Sequence, residues 1–386
     1  MKNQNIYIVS PTESHLTQRG KRHPDLAELL TKHQYNVKYI TSNFNHALKT
    51  EISRDEIKYS STRYKSVFIE NGIYKKNLSI DRILWNLKFS LKAYRYLKNL
   101  KLTSNDVIII PSRPSELIYF ISKLKVKYKC RLILDIRDIW PDSLKSSGLK
   151  KYIFSAYCNF FQKKSIKSFD AYLHVAPSFT NWLKRYNENA NSKFLPLGID
   201  ERFKDFSKEL NESSAINYIY GGTLTYQFDI SNAVEAIDSL KYRFLIFGDN
   251  GSGERYKEIK EMVRRNDKIK LLNFVDPNKV PDLYKEADVS IIYMKAGALP
   301  NKVFDALGSY TPILSIGEGD VSNFVKKYNI GWYVANDPTE IKLLIKDITR
   351  EEVNQKIKNI ENIRVNYLRD NLLDDYVRLI KNLCNN

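Results

Sequence analysis

Ala298-Leu299-Pro300-Asn301-Lys302-Val303-Phe304-Asp305-Ala306-Leu307 is the stretch of this chain whose residue types and spacing point most directly to chemistry. An apolar run from Asp288 to Met294 precedes it and reads as a buried strand of a parallel sheet. Small residues and a proline then open a helix, since proline suits a first helical turn. Such a turn leaves backbone N–H groups unpaired, which favours an anion such as a phosphate. Lys302 adds a positive charge beside those donors, and Asp305 lies where it shares a helix face with Asn301 and Lys302. An anion cradle with a carboxylate one turn deeper fits a sugar nucleotide, with phosphates at the helix tip and ribose hydroxyls on the acid. The same residues also read as an ordinary helix start with surface charges.

Three further loops, each following an apolar run, carry unusual residues. Ser10 to His23 is polar and contains Arg19, Gly20, Arg22 and His23, ahead of an amphipathic helix expected over Asp25–Leu30. It suits phosphate or sugar hydroxyls but lacks a G-x-G-x-x-G or P-loop pattern, which argues against a standard dinucleotide or ATP site. A solvated loop is the plain alternative. Asp135-Ile136-Arg137-Asp138-Ile139-Trp140-Pro141-Asp142 packs charges around a Trp-Pro pair, an expensive arrangement without partners. Asp138 there could orient an acceptor hydroxyl, accept its proton, or stabilise positive charge developing on a sugar. An internal bridge between Arg137 and an aspartate is the competing reading. Tyr220-Gly221-Gly222-Thr223-Leu224 would let backbone approach a ligand and offer N–H donors. On the same edge, the loops holding Asp249 and Phe274 are placed to hold a nucleobase.

The elements that must position these loops alternate regularly. Strands are expected at Asn5–Ser10, Asn36–Thr41, Asp106–Ile110, Arg131–Ile136 and Ala171–Ala176 in the first half. In the second half they are expected at Ile216–Tyr220, Tyr242–Phe247, Ile269–Phe274, Asp288–Met294 and Pro312–Ile316. Apolar runs separated by amphipathic helices imply an α/β fold with parallel sheets covered on both faces. Two such series in 386 residues imply two doubly wound, Rossmann-like domains facing an interdomain cleft. The expected hinge is the polar segment from Lys204 to Ala215.

Composition narrows the partners. A net charge of +18 fits nucleic acid, an anionic membrane surface or phosphorylated substrates. No helix-turn-helix, zinc-finger or RNA-recognition pattern accompanies the charge, so no nucleic-acid partner is expected. The three cysteines (Cys130, Cys158, Cys384) are far apart and the five histidines form no ligand spacing, so neither disulfides nor a metal are expected. The start of the chain reads as a strand rather than a signal peptide, and no run approaches the roughly 20 apolar residues of a membrane span. Two basic-aromatic segments, Trp85–Leu102 and Lys150–Lys167, read as interfacial helices, with Trp85 and Phe89 toward lipid and Lys88, Lys92 and Arg95 toward head groups. Both also read as ordinary amphipathic helices.

The order of these motifs resembles the GT-B-fold, retaining glycosyltransferases of family 4. The bacterial surface-polysaccharide branch, of the capsule and O-antigen type, is the most similar. The resemblance is carried by Arg19–His46, Arg137-Asp138-Ile139-Trp140-Pro141, Leu195-Pro196-Leu197-Gly198-Ile199-Asp200, Gly221-Gly222 and Pro300-Asn301-Lys302. It implies an acceptor-side domain over 1–203, a nucleotide-sugar domain over 204–365, and a final helix, 366–386, packing back on the first. It implies a nucleotide-sugar donor with UDP as the expected base carrier, a lipid-linked glycan acceptor, no metal cofactor, and a cytoplasmic, peripheral place on the inner membrane face. Asp138 is the expected catalytic residue. Gly221, Gly222, Thr223, Asp249, Phe274, Asn301, Lys302 and Asp305 are expected on the donor, and Arg19, Gly20, Arg22, His23 and Arg137 on the acceptor. The chain departs from the family pattern in carrying Gly297 where many members have the first of two glutamates, Asp305 standing at the second. It also lacks a cation in Thr223–Gln227. A sugar-nucleotide epimerase of the same fold, and less so a basic nucleic-acid-binding protein, are the alternative readings.

Overall fold

The computed structural model describes residues 4–17, 21–77, 79–143, 148–209, 212–240, 242–249, 251, 253–294 and 297–385. They form two compact units: Met1–Val175 with Phe179–Leu195 and Leu373–Asn386, and Ala176–Ser178 with Pro196–Leu372.

The first unit contains β1 (Asn5–Val9), β2 (Asn36–Ser42), a small hairpin of β3 (Phe44–Asn45) and β4 (Thr50–Glu51), β5 (Lys65–Ile69), β6 (Val107–Pro111), β7 (Arg131–Ile136), β8 (Ala171–His174) and β9 (Ser192–Phe194). All but the hairpin join one parallel sheet in the order β5-β2-β1-β6-β7-β8-β9. Ile6, Ile8, Val107–Ile110 and Leu132–Leu134 are fully buried, as central strands covered on both faces require. The second unit contains β10 (Asn217–Gly221), β11 (Arg243–Phe247), β12 (Ile269–Leu271), β13 (Val289–Tyr293), β14 (Ile313–Ile316) and β15 (Gly331–Val334). These pair in parallel in the order β12-β11-β10-β13-β14-β15. Its core joins Tyr218, Tyr220, Phe244, Ile246, Ile291 and Leu314 to the apolar faces of the flanking helices.

Each unit is therefore doubly wound. Strand order reverses between β1 and β6 in one unit and between β10 and β13 in the other. Ligands of such sheets bind beyond the carboxyl ends of the strands at that reversal. In the second unit the loops there begin at Gly222 and Met294, the two that the sequence singles out.

All ten expected strands form, with ends shifted by a few residues. Ile269–Phe274 is the largest shortening, since β12 stops at Leu271 and leaves Phe274 in a loop. Three edge strands, β5, β9 and β15, carry mixed rather than continuous apolar residues because edges are only half covered. The units divide at 195/196 and 372/373 rather than at 203/204 and 365/366. The reason lies in the segment Pro196–Phe203, which is tied to residues 367–369. Ile199 N–H donates to Tyr367 O at 2.7 Å, Arg369 N–H donates to Ile199 O at 3.2 Å, and Asp200 pairs with Arg369 at 2.9 Å. Gly198 has φ +78°, and a Cβ there would meet Leu372 Cδ1 at 2.7 Å.

The helix Ile80–Lys98 corrects one membrane expectation. Trp85 and Phe89 are buried, their rings stacked 5.7 Å apart and nearly parallel, and Trp85 also packs on Phe44 and Tyr74. The apolar stripe of this helix is core, so Trp85 and Phe89 have no lipid-facing role.

Candidate active site

β10 ends in the glycine pair. A Cβ on Gly221 would strike the Phe247 ring at 2.6 Å, and one on Gly222, at φ +142°, would lie 2.7 Å from Lys302 Nζ. Gly222 N–H donates to Phe247 O at 2.8 Å. Gly221 supplies space for Phe247 and Gly222 for Lys302, rather than the free Gly222 donor expected from the sequence.

Pro300 immediately precedes the helix Asn301–Gly308, with extended backbone and no side-chain cap. Val303 N–H donates to Pro300 O at 3.0 Å, which leaves the Asn301 and Lys302 N–H groups of the first turn to face an anion. Asn301 is exposed, whereas Lys302, Val303 and Phe304 are buried. Lys302 does not wave in solvent as a mobile charge. Its ammonium donates to Tyr220 Oη at 2.8 Å and lies 4.2 Å from the Tyr220 ring centroid and 4.1 Å from that of Phe228. Tyr220 Oη in turn donates to Thr223 O at 2.9 Å, which makes the hydroxyl an acceptor toward the lysine. Burial pushes Lys302 down to about 7, with Asp305 opposing the shift only through space. Asp305 gives its carboxylate to Arg202 Nη2 at 2.7 Å instead. Burial raises Asp305 above the usual carboxylate range, more than Arg202 lowers it. Among the described residues no carboxylate forms an ion pair with Lys302.

The other donor-side residues separate into two kinds. Asp249 is buried and accepts from Leu224 N–H at 2.6 Å, Gly251 N–H at 2.8 Å and Gly253 N–H at 3.2 Å. Its carboxylate ties two loops together and is spent on backbone, a correction to its expected nucleobase role. Phe274 stands 47% exposed, in a loop whose Asn273 O accepts from Gly248 N–H at 3.3 Å. Gly297 has no room for a side chain: a Cβ would meet Ser178 Oγ at 2.8 Å and Asp320 Oδ2 at 3.5 Å. Ser178 donates to that same carboxylate through Oγ at 2.5 Å and through N–H at 3.2 Å. A buried aspartate from the next loop thus stands beside the place of the absent glutamate.

In the first unit, Arg22 and His23 begin the helix Arg22–Lys32, which starts earlier than Asp25–Leu30. Both are buried, with Arg22 Nε 2.9 Å and His23 Nε2 2.9 Å from Asp135 Oδ2. Arg137 donates through Nη1 to Glu13 Oε2 at 2.7 Å and through Nη2 to Glu13 Oε1. Against burial, Arg137 holds Glu13 below its usual range, and Arg22 and His23 hold Asp135 well below. These cations close the loop after β1 onto the sheet edge. They do not present free charge, and the bridge of Arg137 runs to Glu13 rather than to an aspartate. Arg19 and Gly20 lie outside the described residues. Asp138, partly exposed, accepts from Arg113 Nη1 at 2.6 Å and from Ser143 Oγ.

Sequence reasoning missed Tyr220, Phe228, Arg202, Ser178 and Asp320. Only Tyr220, next to the glycine pair, carried a local signal. The others arrive through loop packing.

Residues 201–364 match the family Glycosyl transferases group 1, a span that includes the glycine pair, Lys302 and Asp305. The chain is a glycosyltransferase, with a group 1 domain over residues 201–364. A Pseudomonas aeruginosa protein described as "Probable glycosyltransferase WbjE" is 22% identical over 281 residues, 66% of this chain and 69% of that one. Sucrose-phosphate synthase from Thermosynechococcus elongatus shares the fold at a TM-score of 0.74 and 14% identity, over 98% of this chain and 99% of that one. Anabaena HepE, in complex with UDP and glucose, gives 0.65 and 12% over 98% and 100%. WaaG, a glycosyltransferase involved in lipopolysaccharide biosynthesis, gives 0.68 and 10% over 97% and 99%. These likenesses establish the fold as GT-B.

Burial lowers Lys302 to about 7, so a diphosphate held by this ammonium would restore its proton and should bind in a pH-dependent way. Nucleoside diphosphate affinity should therefore fall as pH rises from 7 to 9, by up to about tenfold per unit, with proton uptake above pH 7. Isothermal titration in buffers of different ionisation enthalpy measures both. Lys302→Arg should flatten the profile, and a flat profile in the wild type would refute the assignment.

Proposed function

We propose that this glycosyltransferase moves a sugar, with retention of anomeric configuration, from UDP to a membrane-bound, lipid-linked glycan during synthesis of a bacterial surface polysaccharide. The observation that carries the donor half is the Lys302 ammonium, buried without a carboxylate at the topological switch of the second unit and beside an uncapped helix N-terminus. A diphosphate supplies the missing counter-charge. Negative charge grows on the diphosphate as the glycosidic bond breaks, and fixed donors in a buried site stabilise that charge without reorganising. Asp305, held by Arg202, is set to accept from ribose hydroxyls, and Phe274 to stack on the base. Lysine and helix dipole together stand in for a metal, so the reaction proceeds without one.

UDP as carrier is supported by HepE, which binds UDP and glucose. The polysaccharide setting is supported by WaaG, involved in lipopolysaccharide biosynthesis. The similarity to glycosyltransferases favours transfer over epimerisation. Asp138, steadied by Arg113 and Ser143, is the group proposed to orient the acceptor hydroxyl.

Among the described residues no helix is long and apolar enough to cross a membrane. The surface proposed to meet the inner face of the membrane is the helix Gly148–Ser165. It exposes Leu149 at 73% and Tyr152 at 74%, together with Ile153 and Phe160, and Lys150, Lys151, Lys163 and Lys164 are exposed on it. Apolar side chains among cations suit anionic lipid, each nearby cation adding about 1 kcal/mol of screened attraction.

Asp138→Ala should lower turnover by at least about tenfold while leaving UDP affinity within twofold, as expected for a group that acts on the reacting acceptor. Initial-rate kinetics paired with UDP titration decides it, and near-normal turnover would reduce Asp138 to a loop anchor. In the same assay EDTA should leave the rate unchanged and product NMR should show the donor's anomeric configuration. A metal requirement or inversion would overturn those parts of the reading.

Co-sedimentation with anionic liposomes tests the membrane surface. Lys150→Glu with Lys151→Glu and Ile153→Ser should release the protein while UDP binding persists. Binding equal to wild type would refute this surface.

A further inference from the structure

The charged groups of the first unit fall into two clusters of opposite character. Around Asp135, two arginines face two carboxylates and the account closes. Around the β3–β4 hairpin it does not. Lys49, Arg82 and Arg113 converge there on His46, Tyr74 and Trp140. The Lys49 ammonium donates to Asn77 Oδ1 at 2.6 Å and lies 3.0 Å from His46 Nδ1 and 4.7 Å from the Tyr74 ring centroid. Arg82 sits 5.5 Å from the Tyr74 ring and 4.8 Å from the Trp140 ring, and Arg113 lies 5.4 Å from Trp140. Two carboxylates act on the cluster. Asp138 is paired with Arg113, and buried Glu116 accepts from Tyr157 Oη at 2.5 Å. No carboxylate pairs with Lys49 or Arg82 among the described residues.

Two details favour an anion. Arg82 is 8% exposed and spends Nη1 on Asn77 O at 2.6 Å, yet its buried Nε–H has no acceptor, a costly state in a native interior. His46 Nδ1 faces two donors, the Lys49 ammonium and the Tyr74 hydroxyl at 2.6 Å, which places the ring proton on Nε2 as a further donor. Burial, then Lys49, Arg82 and Arg113, push His46 down to about 3, and burial, then Arg82, bring Lys49 to about 8. Burial is the larger cause of both shifts, and the neighbouring cations add to it.

We propose that Lys49, His46, Arg82 and Arg113 form a binding site for a phosphate or pyrophosphate group carried by the acceptor. Cations reaching it from a hairpin, a helix start and the loop after β6 suit a tetrahedral group with several open oxygens better than a planar carboxylate. The adjoining Asp138 then lies where an acceptor anchored by its phosphate would offer its hydroxyl. Only the assignment of the anion to the acceptor rests on the transferase reading.

The test is isothermal titration of the full chain with inorganic pyrophosphate, and separately with farnesyl pyrophosphate, in saturating UDP to occupy the donor site. Wild type should bind one pyrophosphate under these conditions. Lys49→Gln should weaken it at least tenfold with UDP affinity unchanged, and Lys49→Arg should restore most of it. Arg82→Gln should act likewise if its melting temperature matches wild type. Tighter binding of farnesyl pyrophosphate assigns the site to a lipid carrier, and equal binding assigns it to the phosphate group alone. No binding by wild type, or equal binding by Lys49→Gln, overturns the proposal. If UDP itself fails to bind, the donor reading falls while pyrophosphate titration still decides this site.

Discussion

Lys302 is a charge taken out of water and given no carboxylate partner among the described residues, and the second unit is arranged around that fact. Burying an ammonium is costly unless its donors are satisfied and its charge is met. A tyrosine hydroxyl and two aromatic faces meet the first need. In the proposed reading the donor's diphosphate meets the charge. Position 222 favours glycine because its φ of +142° is one that other residues rarely adopt, and a Cβ there would lie 2.7 Å from the ammonium. Asp305 is close enough to influence the lysine, yet Arg202 holds its carboxylate. Were that arginine absent, Asp305 would be the nearest anion to neutralise Lys302 and would compete with a diphosphate.

The same distinction between closed and open charge organises the first unit. Glu13, Arg137, Asp135, Arg22 and His23 balance one another in charge and fasten the loop after β1, while Arg137 Nε and His23 Nδ1 keep no hydrogen-bond partner among the described residues. Such buried ion networks fix conformation more than they add stability. Among the described residues Lys49 and Arg82 meet a side-chain amide, an imidazole nitrogen, a backbone carbonyl and aromatic faces, and no carboxylate pairs with either. A strong net charge of +18 says little about function by itself. What carries information is which of those charges are left unpaired in buried places.

Much of the fold was legible in the sequence because central parallel strands are buried on both faces and read as continuous apolar runs. Edge strands such as Gly331–Val334 escaped that reading, being half exposed. The stripe of Trp85 and Phe89 misled because the same periodicity serves a core-facing or a lipid-facing helix. At the site, spacing revealed Lys302 and the glycine pair, since both depend on local backbone. The partners that decide what those residues do were hidden: Tyr220 and Phe228 lie more than seventy positions before Lys302, and Asp249 is spent on three backbone amides. Arg22 and His23 looked like loop cations but were buried with Asp135, a pairing no local pattern announces.

The central claim, that Lys302 is the counter-charge of the donor's diphosphate, is tested most directly by titrating UDP, UMP and uridine into wild type and Lys302→Met. A charge-assisted bond to phosphate is worth about 1.5–3 kcal/mol. UDP affinity should therefore fall about 10- to 100-fold in the variant, UMP less, and uridine not at all. Equal losses for all three ligands, or none for UDP, would contradict the account.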